Sequence, residues 1–298
     1  MRVRIGIDLG GTKTEALAIA ADGGELWRRR VASPSGDYPA TVALIVQLVA
    51  AAERDLGATA TVGVGIPGTV SPATGLVKNA NSTWLIGRPF HADLAAALGR
   101  PVRLANDADC FALSEASDGA AVGRPVVFGV ILGTGVGGGL VINRQLLAGA
   151  NAIAGEWGHN PLPWPSDDER PGPPCYCGRR GCIETFLSGP GLAADHGGGL
   201  TAADIAQGTD KAAEAALARY DSRLARALAH VINIVDPHAI VLGGGLSQIN
   251  RLYRNIPRLW GRWVFSDRVD TQLLAPKYGD SSGVRGAAWL WNLDEAGT

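Results

Sequence analysis

An internal repeat constrains the fold of this chain more than any other feature. Residues 5–12 (IGIDLGGT) match residues 128–135 (FGVILGTG) at an offset of 123 residues. Each copy reads as a buried strand, a glycine turn and a second apolar strand, which is the pattern of a β-hairpin. Residues 62–68 and 240–245 repeat less tightly, each as a strand that runs into a glycine turn. The sequence therefore predicts a duplicated α/β scaffold with a cleft between its halves.

The second half of the repeat is the larger one. The later pair has an offset of 178 residues against 123 for the first, so about 55 additional residues lie in the second half. We expect a small N-terminal domain at residues 1–118 and a large domain at 119–282 that carries the insertion, residues 143–200. A C-terminal helix at 283–298 is expected to pack back on the first half. Further helical patterns separate the strands at residues 40–56, 92–98, 107–117 and 211–235.

Two glycine turns in the repeat have the composition of phosphate-binding turns. Asp8 ends the first strand and could hold Mg²⁺ through water, while Thr12 and Lys13 could add a hydroxyl and a charge. The spacings of the P-loop and of G-x-G-x-x-G are absent, and one such turn could simply be tight, but two opposed copies favour phosphate binding. The candidates are Asp8, Gly10, Gly11, Thr12 and Lys13 in the first copy and Gly133, Thr134, Gly135 and Gly137 in the second.

A third glycine turn follows a later strand. Gly243, Gly244 and Gly245 come directly after the apolar residues 239–242. A closely packed turn and contact with a nucleotide both explain such a run. Because the repeat returns this turn to the cleft, we favour nucleotide contact.

Asp107 is the candidate catalytic base. It follows Asn106 at the predicted start of a helix, where the helix dipole favours the ionised carboxylate. Phosphoryl transfer to a hydroxyl needs a carboxylate that orients the nucleophile and takes its proton. Two alternatives stay open: Asn106 and Asp107 could only cap the helix, and Asp109, on another helix face, is a competing base.

Three of the four cysteines predict a zinc site. Cys175, Cys177 and Cys182 lie within eight residues, and His159 upstream can complete a tetrahedral set. His196 and water are the rival fourth ligands. Three thiolates and an imidazole leave no open position, so we expect a structural and not a catalytic zinc. The fourth cysteine, Cys110, stands apart in an apolar segment and is expected to be buried.

Two carboxylates next to the cysteine cluster need another explanation. Glu156 and Glu184 flank the candidate ligands, although a closed zinc site does not use them. A ligand rich in hydroxyl groups would accept such carboxylates. The residues that together supply the mixed donors and acceptors for a sugar are Asn81, Asn106, Asp107, Glu156, His159 and Glu184.

Charge and hydropathy exclude some partners. Lys and Arg number 27 against 28 Asp and Glu, for a formal net charge of -1, so no basic surface for nucleic acid is predicted. No apolar stretch approaches the length of a membrane span, and no signal-peptide pattern precedes the first strand. We expect a soluble, cytoplasmic protein without nucleic-acid or membrane partners.

These motifs resemble the ROK family of sugar kinases and repressors, which has the actin-like ATPase (ribonuclease H-like) fold. Residues 8–13 look like its first phosphate motif, residues 133–137 like its second, and residues 243–245 like its adenosine turn. The signature Glu156-x-Gly-His159 with C-x-C-G-x-x-G-C-x-E at 175–184 is highly specific. The resemblance covers nearly the whole chain.

The resemblance implies an ATP-dependent hexose 6-kinase. Asp107 would deprotonate the 6-hydroxyl group of a hexose, and Mg²⁺·ATP would donate its γ-phosphoryl group. Asn81, Asn106, Glu156, His159 and Glu184 would bind the sugar hydroxyls, with His159 also on Zn²⁺. A homodimer is implied as well.

Three segments, residues 78–85, 155–164 and 279–289, look most like the bacterial fructokinase/mannokinase branch of the family. We therefore expect a fructokinase that forms fructose 6-phosphate and accepts mannose as a possible second substrate. Glucokinase and N-acetylglucosamine kinase are the alternatives on the same scaffold. The loop at residues 166–174 matches no motif and receives no role.

Two other classes of protein are disfavoured. A repressor of the family needs a DNA-binding extension, and the first hairpin begins at residue 5, which leaves no room for one. A zinc-held sugar-binding protein without catalysis would not need the intact Asp8 and Asp107.

Overall fold

The computed structural model describes residues 2–80 and 82–291. The candidate sugar ligand Asn81 and residues 292–298 of the expected C-terminal helix lie outside the described residues. In chain order the strands are β1 (Val3–Leu9), β2 (Lys13–Ile19), β3 (Glu25–Ala32), β4 (Ala60–Ile66), β5 (Thr69–Val70), β6 (Val77–Lys78), β7 (Val102–Asn106), β8 (Val126–Leu132), β9 (Val136–Ile142), β10 (Gln145–Leu146), β11 (Ala239–Gly243) and β12 (Gln272–Leu274). The helices are α1 (Tyr38–Leu56), α2 (Phe90–Leu98), α3 (Asp107–Ser117), α4 (Ile183–Leu187), α5 (Gly189–His196), α6 (Ala202–Gln207), α7 (Lys211–Val235), α8 (Arg251–Leu259) and α9 (Ser282–Trp289).

Two five-stranded sheets repeat one topology. Their strand orders are β3-β2-β1-β4-β7 and β10-β9-β8-β11-β12. In the first sheet β1 pairs antiparallel with β2 and parallel with β4, and in the second β8 pairs antiparallel with β9 and parallel with β11. The repeat in the sequence is therefore a repeat of hairpins within two matching sheets, as predicted.

Local sequence signals set the limits of the main helices. The Asp37 side chain accepts a hydrogen bond from the backbone N–H of Ala40 at the start of α1, and Gly57 ends that helix with a φ of 61°. Asn106 caps α3 by accepting from the backbone N–H of Ala108 at 2.9 Å. The helical patterns at 40–56, 92–98, 107–117 and 211–235 thus correspond to α1, α2, α3 and α7.

Helices α3 and α9 lie between the two sheets and pack against each other at very short range. A Cβ atom on Gly286 of α9 would collide with the carbonyl oxygen of Cys110, and one on Gly63 of β4 would collide with that of Ala287. Glycine is required at both contacts because no larger residue leaves room for the backbones to approach. Helix α9 also packs on β1, where a Cβ atom on Gly6 would collide with the Val284 carbonyl oxygen. The limits of the two domains stay a prediction.

A buried ion-pair network holds the loop at residues 166–174. The Glu169 carboxylate accepts hydrogen bonds from Arg226 at 2.7 and 2.8 Å and from Nε of Arg223 at 2.8 Å, and both arginines belong to α7. Burial alone would raise the pKa of Glu169, but these hydrogen bonds lower it to about 2. The loop also contacts the cysteine segment, because the backbone N–H of Gly181 donates to the Pro173 carbonyl at 2.9 Å. The loop therefore links α7 to the cysteine cluster.

None of the helices in the part of the chain that the structure describes combines the length and the apolar character needed to cross a bilayer.

Candidate active site

Three cavities adjoin one another through shared lining residues. The polar cavity, of about 280 Å³, is lined by Asp107, by Glu156, His159 and Glu184, and by the second glycine turn. The hairpin cavity, of about 640 Å³, is lined by Asp8, the first glycine turn and again Asp107. The large cavity, of about 1000 Å³, shares Gly133 and Thr134 with the polar cavity. Asp107 thus lies where two of the three cavities join.

The cavities collect most of the residues singled out from the sequence. The polar cavity contains Asn106, Asp107, Glu156, His159 and Glu184 together with Gly133, Thr134, Gly135 and Gly137. The hairpin cavity contains Asp8, Gly10, Gly11, Thr12 and Gly244, and the large cavity contains Gly245.

Two predicted nucleotide residues are placed differently. Lys13 is exposed at the start of β2 and is not among the described residues that line the hairpin cavity. Gly243 is buried at the end of β11, where a Cβ atom would lie 2.6 Å from the Phe111 ring. Close packing, the alternative considered for the third glycine turn, therefore accounts for Gly243, whereas Gly244 and Gly245 face cavities.

Asp107 caps helix α3 and faces the cavities at the same time. Its Oδ1 accepts a hydrogen bond from the backbone N–H of Ala108 at 2.8 Å, beside the bond that Asn106 accepts. Solvent reaches the carboxylate through the cavities, but protein surrounds it on its other sides. This burial, followed by the charge of Glu156, raises the pKa of Asp107, while the hydrogen bond from Ala108 lowers it. Capping and a chemical role are compatible here, since the carboxylate also lines two cavities.

Asp8 shares the hairpin cavity with Asp107. Burial, and then the charges of Asp107 and Glu15, raise the pKa of Asp8 to about 7. Because the charge of Asp107 raises the pKa of Asp8, the pair forms a natural site for a hard cation, whose charge would favour the ionised carboxylates. The second copy of the hairpin has Ile131 at the position of Asp8, so this acidic site belongs to the first hairpin alone.

The rival base, Asp109, lies in a different cavity. It lines a cavity of about 120 Å³ with Asn106 and mostly apolar side chains. Its Oδ1 is buried and has no hydrogen-bond partner among the described residues. Burial, and then the charges of Glu156 and Asp107, raise the pKa of Asp109 to about 7. This position does not reach the polar cavity.

His159 and the three clustered cysteines can hold a metal ion. Their ligand atoms all lie within 4.8 Å of one another. Sγ of Cys175 is 3.4 Å from Nδ1 of His159, and the Sγ atoms of Cys177 and Cys182 are 3.6 Å apart. Tetrahedral zinc with Zn–S of about 2.3 Å and Zn–N of about 2.0 Å gives ligand separations of this size. The residues fit Zn²⁺, and His196 is not in the cluster.

The second hairpin positions the two glutamates. Trp157 packs edge-on against Phe128 and donates from its indole N–H to the Gly137 carbonyl at 3.0 Å, which holds the segment of Glu156 against β9. The backbone N–H of Val136 donates to Oε2 of Glu184 at 3.0 Å. The second hairpin therefore fixes the positions of both glutamates through these contacts.

Sequence reasoning missed Tyr176. Its side chain lines the polar cavity, and its hydroxyl lies 2.9 Å from Nε2 of His159. One signal in the sequence could have found it. Cys175 and Cys177 both direct their thiols to the metal site, so the side chain between them must point away from the thiols.

Comparison with known proteins identifies the family. The family model described as the ROK family matches residues 4–293. The chain belongs to the ROK family. An N-acetyl-D-glucosamine kinase from Yersinia pseudotuberculosis is 40% identical over 297 residues, which cover 96% of this chain and 97% of the relative.

Solved structures of ROK members share the fold. The ROK hexokinase from Thermus thermophilus superposes with a TM-score of 0.87 at 28% identity, covering 98% of both chains. A ROK glucokinase from Streptomyces griseus in complex with glucose and AMPPNP gives a TM-score of 0.75 at 29% identity, over 96% of this chain and 98% of that one. The expected actin-like ATPase fold is thus confirmed. The relative that is 40% identical bears the name of an alternative that the sequence left open, N-acetylglucosamine kinase, and not that of a fructokinase.

Proposed function

We propose that this ROK protein is an N-acetylglucosamine kinase that transfers the γ-phosphoryl group of ATP to the 6-hydroxyl group of the sugar. That it is an ATP-dependent sugar kinase follows from its family and its relatives over nearly the full length. The observation that carries the proposal is the place of Asp107, which belongs at once to the polar cavity and to the hairpin cavity. A base for phosphoryl transfer must lie between acceptor and donor in this way.

Asp107 acts as the general base in this proposal. Burial raises the pKa of Asp107, which makes its carboxylate a better proton acceptor than an exposed aspartate. It takes the proton of the sugar 6-hydroxyl as that oxygen attacks the γ-phosphorus atom. The bond from this phosphorus to the β,γ-bridging oxygen breaks, and ADP leaves with the bridging oxygen.

The glycine turns hold the donor. The backbone N–H of Gly10 closes the turn by donating to the Lys13 carbonyl at 3.0 Å, while those of Gly11 and Thr12 in the hairpin cavity can point at phosphate oxygens. Gly133 and Thr134 border the large cavity, which can take the nucleoside. Mg²⁺ would supply charge neutralisation on the phosphates when bound, and Asp8 would hold it directly or through water.

The sugar occupies the polar cavity in this proposal. Asn106, Glu156, His159 and Glu184 offer the amide, carboxylate and imidazole groups that sugar hydroxyls require, and the proposed ligand Asn81 follows the same strand as the cavity residue Asn79. Zn²⁺ at Cys175, Cys177, Cys182 and His159 would fix the imidazole ring. The roles of Asn106, Glu156, His159 and Glu184 rest on placement in the cavity and on the chemistry of each group, and that of Asn81 rests on the sequence motif alone.

A sugar panel tests the substrate. Purified protein with Mg²⁺·ATP is offered N-acetylglucosamine, glucose, fructose and mannose, and ADP formation is followed in a coupled assay. The highest kcat/KM with N-acetylglucosamine supports the proposal. A higher kcat/KM with fructose would restore the fructokinase assignment, and one with glucose would move the assignment to the glucokinases.

A further inference from the structure

Tyr176 is held over the polar cavity by the cysteine cluster. It lies between Cys175 and Cys177, its side chain is 82% exposed, and it lines the polar cavity. Its ring meets the imidazole of His159 edge-on, with ring centroids 5.0 Å apart and the planes at 90°. An exposed aromatic residue in such a fixed orientation is available to a ligand in the cavity.

Binding of a metal by the imidazole would fix which group donates in the hydrogen bond between Tyr176 and His159. Nδ1 of His159 faces the thiols, at 3.4 Å from Sγ of Cys175, so a metal would take its lone pair and leave the proton on Nε2. Nε2 then donates to the tyrosine hydroxyl oxygen at 2.9 Å. The tyrosine O–H is left to donate to a further acceptor.

The cavity beside this hydroxyl is rich in groups that only accept. The carboxylates of Glu156 and Glu184 offer oxygen acceptors to the sugar and no donors. A sugar oxygen that is to accept a hydrogen bond needs a donor from the protein, and the Tyr176 O–H supplies one at this end of the cavity.

We propose that Tyr176 is a substrate contact whose hydroxyl donates to one oxygen atom of the bound sugar, on the side of the cavity that faces Nε2 of His159. The proposal rests on the assignment of the polar cavity to a sugar. Tyr176 would then help to determine which sugar binds. A substitution of its side chain alters the sugar contact without altering a metal ligand.

The test compares Tyr176→Phe and Tyr176→Ala with the wild-type holoprotein. We expect Tyr176→Phe to raise the KM and the calorimetric Kd for the sugar about threefold to tenfold, the size of one hydrogen bond. Tyr176→Ala should raise them further. The KM for ATP and the zinc content should stay at wild-type values. Tyr38→Phe is the matched control, since the hydroxyl of Tyr38 bonds Asp93 away from the cavities, and it should change none of these values.

A series of monodeoxy sugars finds the oxygen atom. The penalty of Tyr176→Phe should vanish for the one analogue that lacks the contacted oxygen and persist for the others. Equal affinity of wild type and both Tyr176 variants for the sugar would overturn the proposal. So would an equal penalty with every analogue, because the tyrosine would then only hold the imidazole.

The failure of the kinase assignment would look different. Wild-type protein would then form no ADP with any sugar of the panel. Sugar affinity measured by calorimetry would still respond to Tyr176→Phe if the contact exists.

Discussion

At the scale of single residues, the site depends on where neighbouring carboxyl groups point. Asp107 and Asp109 are two positions apart at the start of α3, yet one lines the polar and hairpin cavities and the other a separate small cavity. The sequence could name both as candidate bases because each is an acid near a helix N-terminus. Only the packing around Asn106 separates them, since the helix turns their side chains to different faces.

Asp109 should make stability depend on pH. Its pKa is raised from 3.8 to about 7 in the folded protein, so folding favours the protonated acid. The stability that this form contributes is complete below pH 4 and is lost as the pH rises to 7. The Asp109→Asn variant has no carboxyl group to ionise at this position. Its unfolding free energy minus that of the wild type should therefore increase by about 1–3 kcal/mol between pH 4 and pH 8. Urea denaturation at several pH values measures this, and a difference that does not change with pH would contradict the raised pKa.

At the scale of elements, the hairpins and helices follow from local patterns. Glycine turns between apolar strands predicted both hairpins, and the structure adds that the second turn is one residue shorter, with Leu132 opposite Val136 where Leu9 faces Thr14. Asn106 and Gly57 marked helix limits because capping is local chemistry.

Contacts between distant elements could not be predicted from such patterns. The bonds of Glu169 to Arg223 and Arg226 join residues more than fifty positions apart, and nothing in the local sequence pairs them. The loop at 166–174 therefore had no role until the structure linked it to α7 and to the cysteine cluster. The junction of the cavities at Asp107 is likewise a product of tertiary packing.

The contact of α3 with α9 should tolerate no side chain at Gly286. A Cβ atom there would collide with the backbone carbonyl of Cys110, which cannot move aside as a flexible side chain can. We expect Gly286→Ala to lower the unfolding free energy by about 1–3 kcal/mol or more. Gly261→Ala is the control, because a Cβ atom there meets nothing within 4 Å. Thermal denaturation of both variants checks the claim, and equal midpoints would show that the helices are not packed this closely.

At the scale of the whole molecule, the two halves of the duplication contribute to different cavities of the site. The first hairpin brings Asp8 to the hairpin cavity, while the second contacts Glu184 through its turn and supports Glu156 through Trp157. Sequence patterns located both sets of residues, since each lies in a compact motif. They could not predict that one carboxylate, that of Asp107, would line both cavities.

Metal removal should separate sugar binding from nucleotide binding. If the cluster binds Zn²⁺ as proposed, stripping the metal would free His159 and the segment of Tyr176, both of which line the polar cavity. We expect calorimetry to show a loss of sugar affinity of about tenfold or more, because outer supports of a site commonly have such effects. ADP affinity should change little, since the first glycine turn lies in the other cavity. Unchanged sugar affinity in protein shown to be metal-free would mean that the cluster does not shape the sugar site.

The most direct test of the account is the turnover of Asp107→Asn with N-acetylglucosamine and Mg²⁺·ATP. Asparagine keeps the helix cap but cannot take the proton of the 6-hydroxyl group, so kcat should fall by about 10²–10⁴ while the Kd for the sugar stays within a few-fold of wild type. Asp109→Asn, the same change two residues along the chain, should turn over close to the wild-type rate. Undiminished turnover in Asp107→Asn, or its loss in Asp109→Asn alone, would contradict Asp107 as the base at the junction of the cavities.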